Sequence, residues 1–530
     1  MKLERYCSYG SFTSENDKES ALENMSVNPN ELDINHINTA MVVRPMVHTP
    51  TVTRVFSRVQ PGSLRGSIFT LASSAIGAGL LSLPFVLKQT GLAFGVLICA
   101  AGAFLALLSL NLLLESADVI FRGRGMTGGR CITYSQLVTE ILGERSGIFL
   151  EAVLVVYSFG TVVGYFLVIS ASVNSVCRSF HVSFPSENFP VYVASLMVLP
   201  LAMFRDISSL AYSSLFGVFT MVAVCFVIAY KGYEQGSIEG VPVLVAQFDH
   251  GVCSAISLVF FAYNCHVNVF AIYSSLRFPM LSRMQKVTRR SVVLQLILYT
   301  GVAISGYAIF KDQTKGNILD NFPPSDWMIM LCKAGVSLTL VFNTPLCIHP
   351  ARENYFLLVN KIMTANCGGS APTTPRQKSP RTTPHKDIKS ALKDTPPPLG
   401  HRGGGQLSRT DSFTLSRKST FTMQKIPEAS LISHVLVTLI MIAGSAYLAI
   451  NVPGVSIVFS FLGATACILT SYFYPILMFT TVIDKVPWIF TENSRSTYKY
   501  SLWALLSVIC VIGVVSVYDT AQTVMRGEAV

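Results

Sequence analysis

The chain has 530 residues, 51% of them hydrophobic and only 13% charged, against the roughly 25% charged residues typical of soluble domains. With a mean hydropathy of +0.50, this composition excludes an ordinary soluble globule and leaves room for eleven apolar spans of about 20 residues each. The net charge of +11 does not point to nucleic acid, because residues 361–428 hold twelve Lys and Arg against four Asp and Glu and so carry +8 of it.

Residues 1–63 are polar and lack the apolar core of a secretory signal, so they are expected to form a disordered cytosolic tail. The first apolar run, 67–87, contains Gly77, Gly79 and Pro84, each of which weakens a straight helix. A break is therefore expected near residues 76–79. Such a break must be buried in protein or line a polar cavity, since lipid cannot satisfy the freed backbone groups; close helix packing is the other use of paired glycines. Further runs follow at 92–114, 148–173, 189–204, 208–230, 252–276, 292–310 and 328–348. The segment 357–429 is basic, rich in Pro, Ser and Thr, and poor in apolar clusters, so it cannot repay its ordering entropy and is expected to be a disordered cytosolic loop. Within it Thr374, Ser379 and Thr383 each precede a proline and are candidate sites for a cytosolic kinase, while the positive charge also suits anionic lipid. Three last runs lie at 431–450, 455–479 and 500–518, before a short tail at 521–530. The chain thus divides into transmembrane blocks at 64–356 and 430–520, joined by the loop.

Eleven spans put the termini on opposite sides. With the N-terminus in the cytosol, 26 Lys and Arg fall inside and 6 outside, the N-terminal tail left aside, which orients the chain with its C-terminus extracytosolic. Ionisable side chains at membrane depth are functional candidates by default. Glu115 and Glu151 fall near cytosolic span ends and read as structural, Lys333 falls about one turn inside span eight and is expected to snorkel, and His266 is either a packing histidine or a proton carrier. The twelve cysteines form no CxxC pair and have no His partners at zinc spacing, so no structural metal or cofactor is implied. Cys177 and Cys253 fall near outer span ends, where they either form a disulfide or remain free thiols.

Several segments together carry a resemblance. They are the run from Ser67 to Pro84, Leu199-Pro200-Leu201-Ala202 with Arg205, Phe261-Ala262-Tyr263-Asn264-Cys265-His266 with Ile272-Tyr273, Arg283 to Val287, Pro345 and Pro350, and Gly463-Ala464. In order and spacing the chain resembles the amino acid/auxin permease family, especially its sodium-coupled neutral amino acid transporter branch. The resemblance implies an all-α polytopic membrane protein of eleven transmembrane helices, with a leucine-transporter-like five-plus-five inverted repeat and one extra helix.

It further implies a secondary active transporter, not an enzyme, that moves L-amino acids by alternating access. The free amides of Gly77, Ala78 and Gly79 would take the substrate carboxylate, with Asn264 and Cys265 at a second break in span six. Ser73, the Ile76 carbonyl, Asn343 and Thr344 would hold a coupling cation, and His266 would carry a coupling proton. In the sodium-coupled branch the position of Ser73 is typically Asn and that of Asn343 typically Thr. Both present residues still offer oxygen to a hard cation, so H+, Na+ and uniport all stay open. No unpaired acid marks the predicted core, which leans to neutral over cationic amino acids. The plasma membrane is the default location, with a vacuolar or lysosomal-type membrane as the alternative. An ion channel or membrane scaffold is the reading from another class; neither a selectivity motif nor a charged gating helix supports it.

Overall fold

The structure, a computed structural model, describes residues 62–123, 133–182, 184–186, 188–203, 211–236, 244–248, 251–366, 431–484 and 492–526. All regular structure among them is helical. Helix α1 (Leu64–Ala75) is started by Ser63, whose hydroxyl accepts from Gly66 N at 3.2 Å. Its continuation is a 3₁₀ turn (Ala78–Ser82) and helix α2 (Leu83–Thr90), bent by 53° from α1. There follow α3 (Leu92–Gly123), a short α4 (Tyr134–Leu142), α5 (Glu144–Ser179), α6 (Phe189–Met203) and α7 (Ala211–Gln235). The second interrupted element is α8 (Val252–Ala262), a 3₁₀ turn (His266–Asn268) and α9 (Val269–Ser275). Then come α10 (Leu281–Phe310), α11 (Trp327–Asn366), α12 (Leu431–Asn451), α13 (Val455–Leu462), π turns at Gly463–Cys467 and Leu469–Phe473, α14 (Tyr474–Asp484) and α15 (Glu492–Arg526).

Among the described residues, nine helices are long and apolar enough to cross a membrane, counting a helix with its short interruption as one. The bent α1/α2 pair passes the same test jointly, and α6 is a shorter apolar helix. Each of the eleven predicted runs overlaps one of these elements in its described residues. Their surfaces invert the soluble pattern: Leu97, Phe104, Leu196, Phe219, Phe226 and Val514 are exposed, while Ser109, Ser291, Gln295, Thr344 and Ser471 are buried. A lipid solvent favours this inversion, because an apolar side chain loses nothing by facing acyl chains and a hydroxyl must find its partner inside. Thr344 does so by donating to Leu340 O at 2.7 Å.

Several boundaries differ from expectation. Helix α11 runs to Asn366, ten residues into the segment read as disordered from 357, because Leu357 is buried and Lys361 makes an ion pair with Glu151 at 2.6 Å. That pair occupies Glu151, which is 1% exposed and does not reach an aqueous interface. Helix α15 continues through Arg526, beyond the predicted tail boundary at 520. Pro84 does not kink a helix; it is the second residue of α2, where a missing N–H costs little. Helix α4 was not predicted, although Thr133 and Gln136 form a capping box at its start. The tails at 1–61 and 527–530, most of the basic loop, and Thr374, Ser379 and Thr383 lie outside the described residues.

Helix α10 lies along both halves of the broken first span and also against α3 and α7. Helix α8 packs on α13, on the first π turn and on α15. The approach of span ten to α8 is close enough to require glycine: a Cβ on Gly463 would stand 1.8 Å from Ser257 O.

Candidate functional site

The two helix breaks lie side by side. Ile76 leaves α1 with ψ 91°, its N–H still bonded to Ala72 O at 2.8 Å, and Gly77 is extended at φ −142°, ψ −146°. Gly77 caps the following 3₁₀ turn with no side-chain acceptor, so the amides entering that turn are open, as helix N-termini are unless something caps them. In span six Tyr263, Asn264 and Cys265 leave the helix, and Cys265 caps the next turn equally without a side-chain acceptor. Gly79 faces this second break directly: a Cβ there would meet the Phe261 ring at 3.3 Å and Ala262 Cα at 3.5 Å. A Cβ on Gly77 would stand 3.5 Å from Tyr165 Oη, an ordinary contact.

The C-terminal ends of both first half-helices converge on one phenol. Tyr299 of α10 stands 3.0 Å from Ala75 O and 2.8 Å from Ala262 O, its Oη in donor geometry to both carbonyls. With a single proton it serves the two acceptors by sharing. One turn earlier on α10 is Gln295, fully buried, with its side-chain amide against the Cys265 thiol. One turn before that, Ser291 donates to Ile68 O at 2.9 Å. These three residues, spaced by four, form one polar stripe directed at the broken spans. None of them figures in the sequence reading.

The predicted residues distribute unevenly around this centre. Asn264 is at the break, but its Nδ2 donates to Cys467 Sγ at 3.3 Å and its Oδ1 accepts from Ser471 at 3.0 Å, so its amide is committed to span ten. Cys265 is completely buried. His266 faces Ser109 of α3, with Nε2 to Oγ at 2.7 Å, and its Nδ1 has no partner. Ser109 also stands 3.0 Å from Ala106 O in donor geometry; when its one proton goes there, Nε2 must carry the hydrogen to Ser109 and Nδ1 is a bare acceptor. Of the cation candidates, Ser73 donates to Thr70 O at 2.9 Å on its own helix, and Asn343 Nδ2 lies 3.9 Å from the position a Cβ on Gly217 would take. No hydrogen bond joins Ser73 to Asn343 among the described residues.

Of the two alternatives for Cys177 and Cys253, the structure has free thiols: Cys253 lies near Asp519 of α15, whereas Cys177 is in the last turns of α5, where neighbouring Ser175 meets α11. Lys333 does not snorkel. It is 2% exposed and donates to Ser175 Oγ at 2.6 Å.

Interrupted helices whose free ends meet inside an apolar bundle are the device by which secondary transporters hold polar cargo at membrane depth. Among solved structures, Mhp1, a nucleobase-cation-symport-1 family transporter in a closed conformation with bromovinylhydantoin bound, shares the fold with TM-score 0.51 at 11% identity, over 87% of this chain and 92% of that one. The chain belongs to the transmembrane amino acid transporter protein family, whose model matches residues 60–520. Relatives include two proteins of Saccharomyces cerevisiae. Vacuolar amino acid transporter 2 is 24% identical over 60% of this chain and 66% of its own length, and vacuolar amino acid transporter 6 is 23% identical over 84% and 97%. The match spans 43–66% of the length of the first three relatives.

Proposed function

We propose that this chain is a secondary active transporter moving L-amino acids across a membrane by alternating access. One observation carries the reading: two adjacent helix breaks whose following turns have uncapped N-terminal amides and whose preceding carbonyls are gathered by Tyr299. The amides of Gly77, Ala78 and Gly79 suit an α-carboxylate, and Asn264 and Cys265 form the facing wall. The two breaks carry no Asp, Glu, Lys or Arg, which supports neutral substrates. Family membership supports amino acids as the cargo.

All eleven predicted runs cross the membrane in this proposal. The first ten form the five-plus-five inverted repeat of the leucine-transporter-like fold, with an N-terminus in the cytosol and a C-terminus outside it. The unequal distribution of Lys and Arg supports that orientation. The relatives named as vacuolar transporters favour an acidic organelle membrane over the plasma membrane. Coupling is to H+ or Na+, with Ser73, Ile76 O, Asn343 and Thr344 as the cation candidates and His266 as the proton candidate. The 357–429 segment offers its basic charge to anionic lipid and Thr374, Ser379 and Thr383 to a kinase.

The test is uptake of labelled L-amino acids into proteoliposomes, with sodium and proton gradients imposed one at a time, for the wild type, Ser73→Ala and Asn343→Ala. Gradient-driven accumulation of a neutral amino acid is expected. Full transport without sodium excludes obligatory sodium coupling. A sodium requirement whose half-saturation neither substitution moves places the cation elsewhere, and no uptake of any amino acid under either gradient overturns the function.

A further inference from the structure

The exposed face of α10 changes character along its length. From Val293 onward its exposed positions recur every three or four residues and are apolar or small: Val293, Ile297, Gly301, Ile304 and Ala308. This is the stripe that meets acyl chains. Continued toward the start of the helix, the same stripe becomes Lys286, Arg289 and Arg290, all exposed. Arg283, half-buried in the first turn of α10, and Arg277, exposed just before the helix, extend the cluster. The change from cations to apolar side chains within one turn places these charges at headgroup depth.

The cluster has no acid of its own, since residues 269–310 contain neither Asp nor Glu. Among the described residues, none of its five cations makes an ion pair or a side-chain hydrogen bond. The acids of the packed helix α3, Glu115 and Asp118, stand near Tyr498 and Tyr273 instead. What two of the cations do meet is a ring: the guanidinium carbons of Arg277 and Arg283 lie 5.9 and 5.3 Å from the centroid of Phe278. Phe278 is itself 56% exposed and Met280 53%. The segment is also fixed in place. Arg277 N donates to Gly62 O at 3.0 Å, and Gly62, at φ +71°, is so close that a Cβ on it would stand 2.7 Å from Ser275 O. The cations are thereby tied to the stretch of chain that enters α1.

Cations without counter-charges, exposed apolar side chains beside them and a lipid-facing stripe immediately below call for an occupant that is anionic at one end and apolar at the other. We propose that residues 277–290 form an interaction surface for the headgroups of anionic phospholipids in the adjoining leaflet. Lys286, Arg289 and Arg290 take the phosphate, for which a guanidinium is geometrically suited, and Phe278 and Met280 enter the upper acyl region. A soluble anion would satisfy the cations and leave the apolar groups in water. A zwitterionic lipid would bring an ammonium against the cluster, so lipids of net negative charge are selected. No residue of the two helix breaks takes part.

The experiment is native mass spectrometry of the full chain released from detergent, with phosphatidylglycerol and phosphatidylcholine of equal chain length as probes. Wild type is expected to retain phosphatidylglycerol in preference. Each cation removed should weaken that binding by about fivefold, so the double variant Arg289→Gln/Arg290→Gln loses about 25-fold. Both side chains are exposed, so the fold is not at risk, and Arg289→Lys/Arg290→Lys should keep the preference. Lys315→Gln, an exposed cation beyond the far end of α10, should leave it unchanged. A wild type without preference overturns the proposal, as does a preference that survives the double Gln variant, which would reduce these charges to determinants of orientation. Equal loss in Lys315→Gln would make the effect one of net charge and also refute the surface. Displacement of phosphatidylglycerol by equimolar inorganic phosphate or an acidic peptide would make the occupant a soluble anion and refute the lipid assignment.

Discussion

Replacing Tyr299 by Phe removes one oxygen and almost no volume, yet Ala75 O and Ala262 O both lose their shared donor. Each is a carbonyl at the end of a half-helix, where the backbone has no intrahelical partner of its own. Leaving one buried acceptor unsatisfied costs about 1–3 kcal/mol. Since one proton serves both carbonyls, the expected loss is that of about one hydrogen bond, not two. The ring should stay in place, because it packs on Tyr263 with centroids 5.0 Å apart. If the bridge stabilises this arrangement of the two broken spans over the alternative ones, the conformational equilibrium shifts by about 5- to 150-fold. Thermal unfolding in nanodiscs and the KM and kcat of uptake measure the two consequences. A lower melting temperature together with a changed KM is expected. An unchanged melting temperature with unchanged kinetics would show that water or lipid-accessible groups replace the phenol at no cost, and would refute its role as a latch.

Gly79→Val should abolish uptake while the protein still reaches the membrane, because even a Cβ there meets Phe261 at 3.3 Å; Gly77→Ala, facing an ordinary 3.5 Å contact with Tyr165, should fold normally, and uptake by both at wild-type rates would dismiss the carboxylate-binding role. Lys361→Met strands a carboxylate that is 1% exposed and should destabilise by about 3–5 kcal/mol, whereas the double variant with Glu151→Gln should recover much of that loss in a denaturation series; equal losses would mean that the ion pair is not the coupling element. Asp326 caps α11 by accepting from Met328 N at 3.0 Å and makes an ion pair with Lys231 at 2.8 Å. Burial pushes its carboxyl up, but the hydrogen bonds from Lys231, Ile329 and Met328 outweigh burial and hold it below the usual carboxylate range. Its stabilisation is therefore complete above the unfolded carboxylate range near pH ~4 and lost as pH falls through the folded value. Asp326→Asn should flatten the acid limb of a stability-versus-pH curve, and an unaltered limb would assign it to other groups.

Hydropathy and local backbone chemistry were readable without coordinates. The apolar runs fall on helices because transfer to lipid is a property of each segment alone, and the interruption at Ile76 and Gly77 was signalled by Gly77, Gly79 and Pro84. The break at Tyr263 to Cys265 has no glycine, and only the resemblance to a family pointed to it; what holds it open is Asn264 bonded to Cys467 and Ser471, more than 200 residues away in the chain. The Ser291, Gln295 and Tyr299 stripe was visible as polar residues four apart in an apolar helix, but its meaning depends on α10 lying along α1 and α8. Lys333 and Lys361 show the same limit most clearly. Both are lysines near helix ends that composition alone assigns to water, yet the packing of α5 against α11 buries one beside Ser175 and the other on Glu151. A charge at membrane depth is stabilised or stranded by its partner, and the partner is supplied by tertiary packing between segments that no local pattern relates.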